Sequence, residues 1–245
     1  MELFDLHCHL DLLPSMLEFA LEAKKECIGI LAVTTTPKAY AKEIVSFRSL
    51  VNIRVALGLH PQLVSERYNE LSLVERYIDE AEYVGEIGLD FNSKFYFSKE
   101  KQTDVYENII RWCSSNVGKT ISIHSVRSDK VVLDILDKYC CTEKNKCILH
   151  WFSGSAAQLR RAVEMGCYFS INRAMIKSPN GQKLLTTIPP ENMLVETDAP
   201  FINEIHSIQQ FKSELMDIEA SLVSVFGNDI IQSIYKKSKE LLSMT

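Results

Sequence analysis

The chain lacks the features that mark several large classes of protein. None of its apolar runs reaches the length of about eighteen residues that a membrane-spanning helix needs. Charged residues and histidines stand near the amino terminus, where a secretory signal would need an apolar run. With 46% apolar and 24% charged residues, the composition is that of a globular protein with a substantial core. We therefore expect a cytoplasmic protein without a membrane segment.

An excess of basic charge is also lacking. The 27 Lys and Arg residues are outnumbered by 32 Asp and Glu residues, which gives a formal net charge of −5. Proteins that bind duplex nucleic acid without regard to sequence usually carry a clear positive surface. Any contact of this chain with nucleic acid is therefore expected to be local.

Two familiar cofactor and metal motifs are missing as well. The seven cysteines show no C-x-x-C spacing, so the paired ligands of a zinc ribbon are absent. We expect reduced and mostly buried thiols. No G-x-G-x-x-G sequence follows the first predicted strand, which weakens the alternative of a doubly wound, dinucleotide-binding sheet.

The chain does contain a regular alternation of short aliphatic runs and longer amphipathic segments. This pattern is typical of repeated βα units around a parallel sheet. Strands are predicted near residues 3–7, 28–34, 53–59, 83–89, 120–124, 147–152, 167–171 and 193–197. Eight such units close a barrel, and barrels of about 250 residues commonly form one domain. We therefore predict an α/β fold, a single (β/α)₈ TIM barrel over residues 1–245.

Helices are predicted in the gaps between the strands. They begin near Ser15, Lys99, Ser128 and Ser155, where apolar residues recur at helical spacing. From about Ser207 the chain is predicted to form two further helices.

Potential metal ligands concentrate at the predicted strand ends. Four of the six histidines and two acidic residues lie within or directly after strands: His7, His9, Glu86, His124, His150 and Asp198. In a closed barrel the carboxyl ends of the strands meet at one mouth, where residues from distant parts of the sequence come together. We therefore predict that these six side chains bind metal there.

The pair in the first of these segments illustrates the alternatives. His7 and His9 are two residues apart on a strand, so both side chains point to the same side and can bind one ion. Alone, such a pair is a weak signal, because it is more often exposed or packed. The positions of His124, His150 and Asp198 at three further strand ends favour the ligand interpretation.

The carboxylates have alternatives of their own. Glu86 stands between glycines on an apolar strand, where its burial is costly unless a metal ion or a paired Arg or Lys accepts the charge. Asp198 shortly precedes Pro200, which stiffens the loop, although it could instead cap the next helix. Glu196 is expected to orient a ligand through a hydrogen bond.

Two residues are candidates for substrate contact. His60, in GLHP after the third strand, is predicted to donate a hydrogen bond to a substrate oxygen, with capping of the loop before Pro61 as the alternative. Arg127, three residues after His124, is placed to balance phosphate charge, although a lone arginine is only moderately specific. His206 lies in a polar loop and is expected to be an ordinary surface residue.

Six sequence blocks together resemble the TatD family of metal-dependent deoxyribonucleases, within the amidohydrolase-like barrel superfamily. In order they are FDLHCHLD, ALGLHP, VGEIGLDF, SIHS, LHWFSG and VETDAPF, and they cover nearly the whole chain. The resemblance implies that the six strand-end residues bind two divalent metal ions and that His60 contacts the scissile phosphate. Magnesium, manganese and zinc all suit such mixed imidazole and carboxylate ligands.

The chain departs from the family pattern in two places. Family members commonly carry Arg two residues after the strand-five histidine, whereas this chain has Val126 followed by Arg127, which leaves the phosphate contact of Arg127 open. The long basic loop after VETDAPF is shortened to INEIHSIQQ. This loop and the opening HCHLDLLP resemble TatD-like proteins of the multi-gene Qat anti-phage systems, which implies other defence proteins as candidate partners.

The resulting hypothesis is a deoxyribonuclease that hydrolyses phosphodiester bonds. Two metals about 4 Å apart would activate a water molecule, Glu86 would support both ions, and Asp198 would act as general base. His60 would steady a phosphate oxygen. The acidic balance and the short loop favour exonuclease action on single-stranded DNA ends.

Two alternatives stay open. The first is a metal-dependent hydrolase of amides, lactones or deaminated rings on the same barrel. It is less favoured because Glu86 stands where many such enzymes carry a modified lysine. The second is a subunit of a defence complex with weak activity alone, against which the intact set of ligands argues.

Overall fold

A computed structural model of the chain describes residues 2–13, 15–203 and 205–244. Its eight parallel strands are β1 (Leu3–Cys8), β2 (Ile28–Val33), β3 (Ile53–Ala56), β4 (Tyr83–Asp90), β5 (Thr120–Val126), β6 (Lys146–His150), β7 (Tyr168–Ile171) and β8 (Met193–Val195). The predicted (β/α)₈ barrel is confirmed. Strands β3 and β8 end earlier than predicted, because the chain turns into the loops that carry site residues.

Helices separate the strands and surround the barrel. They are α1 (Met16–Lys25), α2 (Pro37–Ser46), α3 (Val64–Arg67), α4 (Leu71–Tyr77), α5 (Lys99–Ser115), α6 (Asp129–Lys138), α7 (Cys141–Lys144), α8 (Ala156–Glu164), α9 (Arg173–Lys177), α10 (Pro179–Leu185), α11 (Ile208–Phe226) and α12 (Asp229–Leu241). Thr36, Ser155 and Ser207 begin helices by accepting a hydrogen bond from the amide three residues on. No helix in the described ranges is long and apolar enough to cross a membrane.

The core lies inside the barrel and between the strands and the helices. Strands β1, β2 and β4 are buried along their whole length, as expected of parallel strands covered by helices. All seven cysteines are unpaired, and five of them are buried.

The seam between β3 and β4 depends on a glycine. Leu57 N donates to Tyr83 O at 3.0 Å, and Gly85 N donates to Leu57 O at 2.9 Å. A Cβ added to Gly58 would lie 1.8 Å from Thr34 O and 2.6 Å from the backbone N of Glu86. Only glycine therefore allows the backbone to pass this close to β4.

The seam between β8 and β1 closes the barrel just beyond the end of β8. Asp198 N donates to His7 O, and His9 N donates to Ala199 O, both at 3.0 Å. Three residues predicted to bind metal therefore take part, through their backbones, in closing the barrel.

The helical layer contains a buried carboxyl group without a hydrogen-bond partner in the part of the chain that the structure describes. Glu43 of α2 is 1% exposed, and neither of its carboxyl oxygens has a hydrogen-bond partner among the described residues. Burial, together with the negative charge of Asp11, raises the pKa of Glu43 from 4.5 to about 8.

This raised pKa predicts a pH-dependent stability. The stability that protonated Glu43 contributes is fully present below pH 4.5 and is lost as the pH rises toward about 8. Glu43→Gln, which cannot ionise, should raise the free energy of unfolding at pH 8 by about 2 kcal/mol relative to wild type, and by much less at pH 5.

Urea denaturation at both pH values measures the difference. Glu75→Gln makes the same charge change on the exposed side of α4, and it should leave the pH dependence as in wild type. An equal effect of Glu43→Gln at pH 5 and pH 8 would contradict the assignment.

Candidate metal centre

The six residues predicted to bind metal converge at one end of the barrel. Each of them is at most 9% exposed: His7, His9, Glu86, His124, His150 and Asp198. Glu86 lies in the middle of β4 and projects among the histidines of the neighbouring strand ends. The structure therefore brings all six together, as the barrel topology predicts.

One carboxylate oxygen of Glu86 faces β5 and β6. Its Oε1 lies 2.6 Å from His124 Nδ1 and 2.9 Å from His150 Nε2. These two nitrogens are 3.3 Å from each other. Two imidazoles from adjacent strands therefore point to the same carboxylate oxygen.

The other oxygen faces β1 and the loop after β8. Glu86 Oε2 lies 3.2 Å from His9 Nε2 and 3.5 Å from His7 Nε2. Asp198 Oδ1 lies 3.7 Å and 3.8 Å from the same two nitrogens, and burial raises the pKa of Asp198 to about 7. Ser122 Oγ lies 2.8 Å from His7 Nδ1, which orients the His7 ring. Both Nε2 atoms are thus directed toward a space between two carboxylates.

His60 caps the loop before Pro61 with one ring nitrogen and faces Glu86 with the other. Its Nδ1 accepts a hydrogen bond from Gln62 N at 3.2 Å, which caps the 3₁₀ turn Pro61–Leu63. Its Nε2 lies 3.2 Å from Glu86 Oε2. Burial lowers the pKa of His60, so the ring is neutral. Because Nδ1 accepts, the proton of the neutral ring is on Nε2, which faces the site as a donor.

Glu196 lies behind the cluster, where it holds the strand ends together. Its carboxylate accepts hydrogen bonds from Trp151 N at 3.1 Å, from Asn172 Nδ2 at 2.7 Å and from Ser170 Oγ. Its Oε1 is also 3.6 Å from His150 Nδ1. At this distance Glu196 makes no hydrogen bond to His150, so its predicted role in orienting a ligand stays a prediction.

The imidazoles around Glu86 stabilise its ionised form. Burial would raise the pKa of Glu86, but the imidazoles around it, among them the positively charged ring of His150, outweigh burial and hold it well below its usual range. Burial likewise would lower the pKa of His150, which the carboxylates of Glu86 and Glu196 instead raise well above its usual value. Burial lowers the pKa of His7, whose ring stacks on that of His150 with centroids 3.8 Å apart. An ionised carboxylate and positive charge thus occur side by side.

The residues present fit divalent metal ions. Glu86 Oε2 is buried, and no donor among the described residues is aligned for a hydrogen bond to it; such an oxygen is costly unless a cation accepts it. Three sets of side chains hold their ligand atoms within 4.8 Å of one another: His7–His9–Asp198, His60–Glu86–His124 and His7–His150–Glu196. Imidazoles and carboxylates are the usual ligands of catalytic zinc and related ions.

Two carboxylates of the site escaped the sequence analysis. Asp90 Oδ2 lies 3.3 Å from His124 Nε2 and accepts a hydrogen bond from Gln62 Nε2 at 2.7 Å. Asp5 accepts from Thr197 Oγ1 at 2.5 Å and from the backbone N of His7 at 3.0 Å, and burial raises its pKa to about 8. Asp5 and Asp90 are acidic residues within apolar strand sequences, FDLH and GLDF. A carboxylate in such a strand is the signal by which Glu86 was predicted, and it could have identified these two residues as well.

Two residues lie outside the cluster. Arg127 is exposed directly after β5 with φ of 54°, and it has no hydrogen bond or ion pair with other described residues. Within the part of the chain that the structure describes, no hydrogen bond or ion pair therefore joins Arg127 to the site. His206 is exposed, and its backbone N donates to Gln210 Oε1 at 2.8 Å.

The chain is similar in sequence to known deoxyribonucleases. The model of a family described as TatD related DNase matches residues 4–240. Human "Deoxyribonuclease TATDN3" is 26% identical over 219 residues, which are 81% of this chain and 78% of that protein. "Deoxyribonuclease Tat-D" of Schizosaccharomyces pombe is 31% identical over 129 residues, 52% of this chain. The match spans 41% of the length of that yeast protein.

Solved structures show the same fold. The Escherichia coli TatD homologue YJJV has a TM-score of 0.78 at 20% identity, over 99% of this chain and 98% of that chain. A TatD family hydrolase from Entamoeba histolytica has a TM-score of 0.80 at 18% identity, over 98% of each chain. The matched residues 4–240 run from β1 into α12 and include all six residues predicted to bind metal. The chain belongs to the TatD related DNase family of metal-dependent hydrolases.

Proposed function

We propose that this protein hydrolyses the phosphodiester bonds of DNA as an exonuclease on single-stranded ends, with residues 1–245 as one catalytic unit. The observation that supports this most directly is the convergence of imidazoles on both oxygens of the buried Glu86 carboxylate. Membership of a DNase family supports DNA as the substrate class. A role beside partners in anti-phage defence is supported only by the resemblance of the opening segment and the short loop.

The six strand-end residues would hold two divalent ions around the Glu86 carboxylate. His124 and His150 face Oε1, and the ligands from β1 and the loop after β8 face Oε2. Bound there, divalent ions such as Mg²⁺, Mn²⁺ or Zn²⁺ supply activation of water and neutralisation of phosphate charge.

The chain's own groups supply positioning and proton transfer. Because its Nδ1 is engaged by Gln62 N, His60 can donate from Nε2 to a phosphate oxygen. Asp198 Oδ1, beside the Nε2 atoms of His7 and His9, is placed to accept a proton from the attacking water. Arg127 is exposed and makes no hydrogen bond or ion pair with other described residues, so it can pair with a second phosphate.

Single-stranded ends suit the shape and charge of the site. Glu86 is 1% exposed at the mouth of a closed barrel, so a phosphate has to enter the mouth to reach it. A flexible single strand can thread its end into the mouth, whereas a duplex would have to fray first. The net charge of −5 gives little general attraction for a duplex.

Glu86→Gln tests the metal assignment. The amide keeps the size of the side chain but removes the charge that both ion positions share, so the affinity for Mn²⁺ or Zn²⁺ should fall at least about tenfold. Titration calorimetry on chelator-treated protein measures it. Glu75→Gln, which makes the same charge change at an exposed position, should bind as wild type. Equal affinity of Glu86→Gln and wild type would sink the assignment.

Digestion of end-labelled single-stranded DNA tests the activity. With Mg²⁺ or Mn²⁺ the wild-type protein should release nucleotides from the end, faster than from the matching duplex, and a chelator should stop the reaction. His124→Ala removes a ligand and should slow release at least about tenfold. Failure to release nucleotides with any divalent ion, or equal rates for wild type and His124→Ala, would reject the proposal.

A further inference from the structure

The segment that follows β4 carries aromatic residues interleaved with lysines. Residues 94–101 read KFYFSKEK, with three lysines against one glutamate in a chain of net charge −5. Phe97 is 72% exposed and Tyr96 is 49% exposed. Two consecutive exposed rings form an apolar surface that can bind a ligand. We call residues 94–101 the aromatic segment.

The aromatic segment is held rigidly against the end of β4. The backbone N of Asp90 donates to Gln102 Oε1 at 2.8 Å. Gln102 Nε2 in turn donates to Phe95 O at 3.1 Å and to Ser98 Oγ at 3.0 Å. Because Asp90 also contacts His124, the segment is fixed beside the metal centre. A preformed surface loses little conformational entropy on binding.

The ring of Phe97 differs from the neighbouring rings, because no described lysine lies over it. Lysine ammonium groups lie over neighbouring rings at 4.6 to 5.7 Å from the centroids, in the pairs Lys94–Phe95, Lys99–Tyr96 and Lys101–Tyr68. Phe97 has neither an aromatic nor a cationic partner among the described residues. An exposed ring therefore stands among ammonium groups that are already held in place.

An exposed ring beside lysine ammonium groups can bind both the unpaired bases and the phosphates of single-stranded DNA. Unpaired bases stack on exposed aromatic rings, and basic side chains follow the phosphates between them. A duplex cannot use the ring in this way, because its base faces are stacked on one another. The local cluster of lysines on an acidic protein favours an anionic ligand over an apolar protein surface.

We propose that the aromatic segment is a second binding site for single-stranded DNA, in which Phe97 stacks on an unpaired base and Lys94, Lys99 and Lys101 contact phosphates. The site rests on the proposed nuclease function and deepens it. Strands long enough to span the metal centre and the aromatic segment are held at both, which gives a local contact with nucleic acid despite the acidic net charge.

Binding without catalysis tests this site. Fluorescence anisotropy of a labelled oligothymidylate in the presence of a chelator reports affinity when no metal-dependent cleavage occurs. Phe97→Leu keeps an apolar side chain but removes the ring, and it should weaken binding about fivefold or more. Phe97→Trp should restore it. Val117→Ala, at a position that is also 72% exposed but lies before β5, should bind as wild type.

A second measurement separates the proposed nuclease function from the proposed second binding site. Hydrolysis of bis(p-nitrophenyl) phosphate, which is too small to span both sites, reports the metal centre alone and should be equal in wild type and Phe97→Leu. If wild type fails to hydrolyse it, the proposed function is contradicted, while the anisotropy still decides the second site.

Three results would overturn the second site. They are unchanged affinity of Phe97→Leu for the single strand, an equal loss of affinity for a duplex of the same length, and failure of Phe97→Trp to bind better than Phe97→Leu.

Discussion

The negative charge of Glu86, buried at the mouth of the barrel, is the constraint on which the rest of the site depends. Removing a carboxylate from water costs several kcal/mol unless positive charge accompanies it. Here five imidazoles from four strand ends surround it: His7, His9, His60, His124 and His150. Such an arrangement adds little to stability by itself. The arrangement is explained if cations bind there, because their positive charge compensates the free-energy cost of burying the carboxylate.

Closure of the barrel and assembly of the site are the same event. The backbone hydrogen bonds that join β1 to the loop after β8 come from Asp198 and His9. Asp5 strengthens this seam by accepting from Thr197 while it also accepts from the amide of His7. Gly58 allows the corresponding close approach at β3 and β4, next to Glu86. A disturbance at either seam therefore moves ligand side chains as well as strands.

Much of this could be predicted from the sequence, because aliphatic runs mark parallel strands and barrel topology brings strand ends together. The convergence of the six strand-end residues follows from that logic, while their roles as ligands stay predictions. Asp90 lies on the same strand as Glu86, and only the structure shows its contact with His124. The hydrogen bond that His60 Nδ1 accepts depends on a 3₁₀ turn. The exposed position of Arg127 depends on the left-handed backbone conformation of that residue. Neither conformation has a clear signature in sequence. Phe97 would ordinarily be assigned to the core, since only the structure shows its exposure.

Anomalous diffraction from crystals grown with Mn²⁺ is the most direct measurement. If the burial of Glu86 is compensated by cations, anomalous density should lie in contact with its carboxylate and with imidazoles of the surrounding strand ends. Saturating Mn²⁺ that binds only elsewhere, with Glu86 paired instead to a protonated His150, would contradict the account.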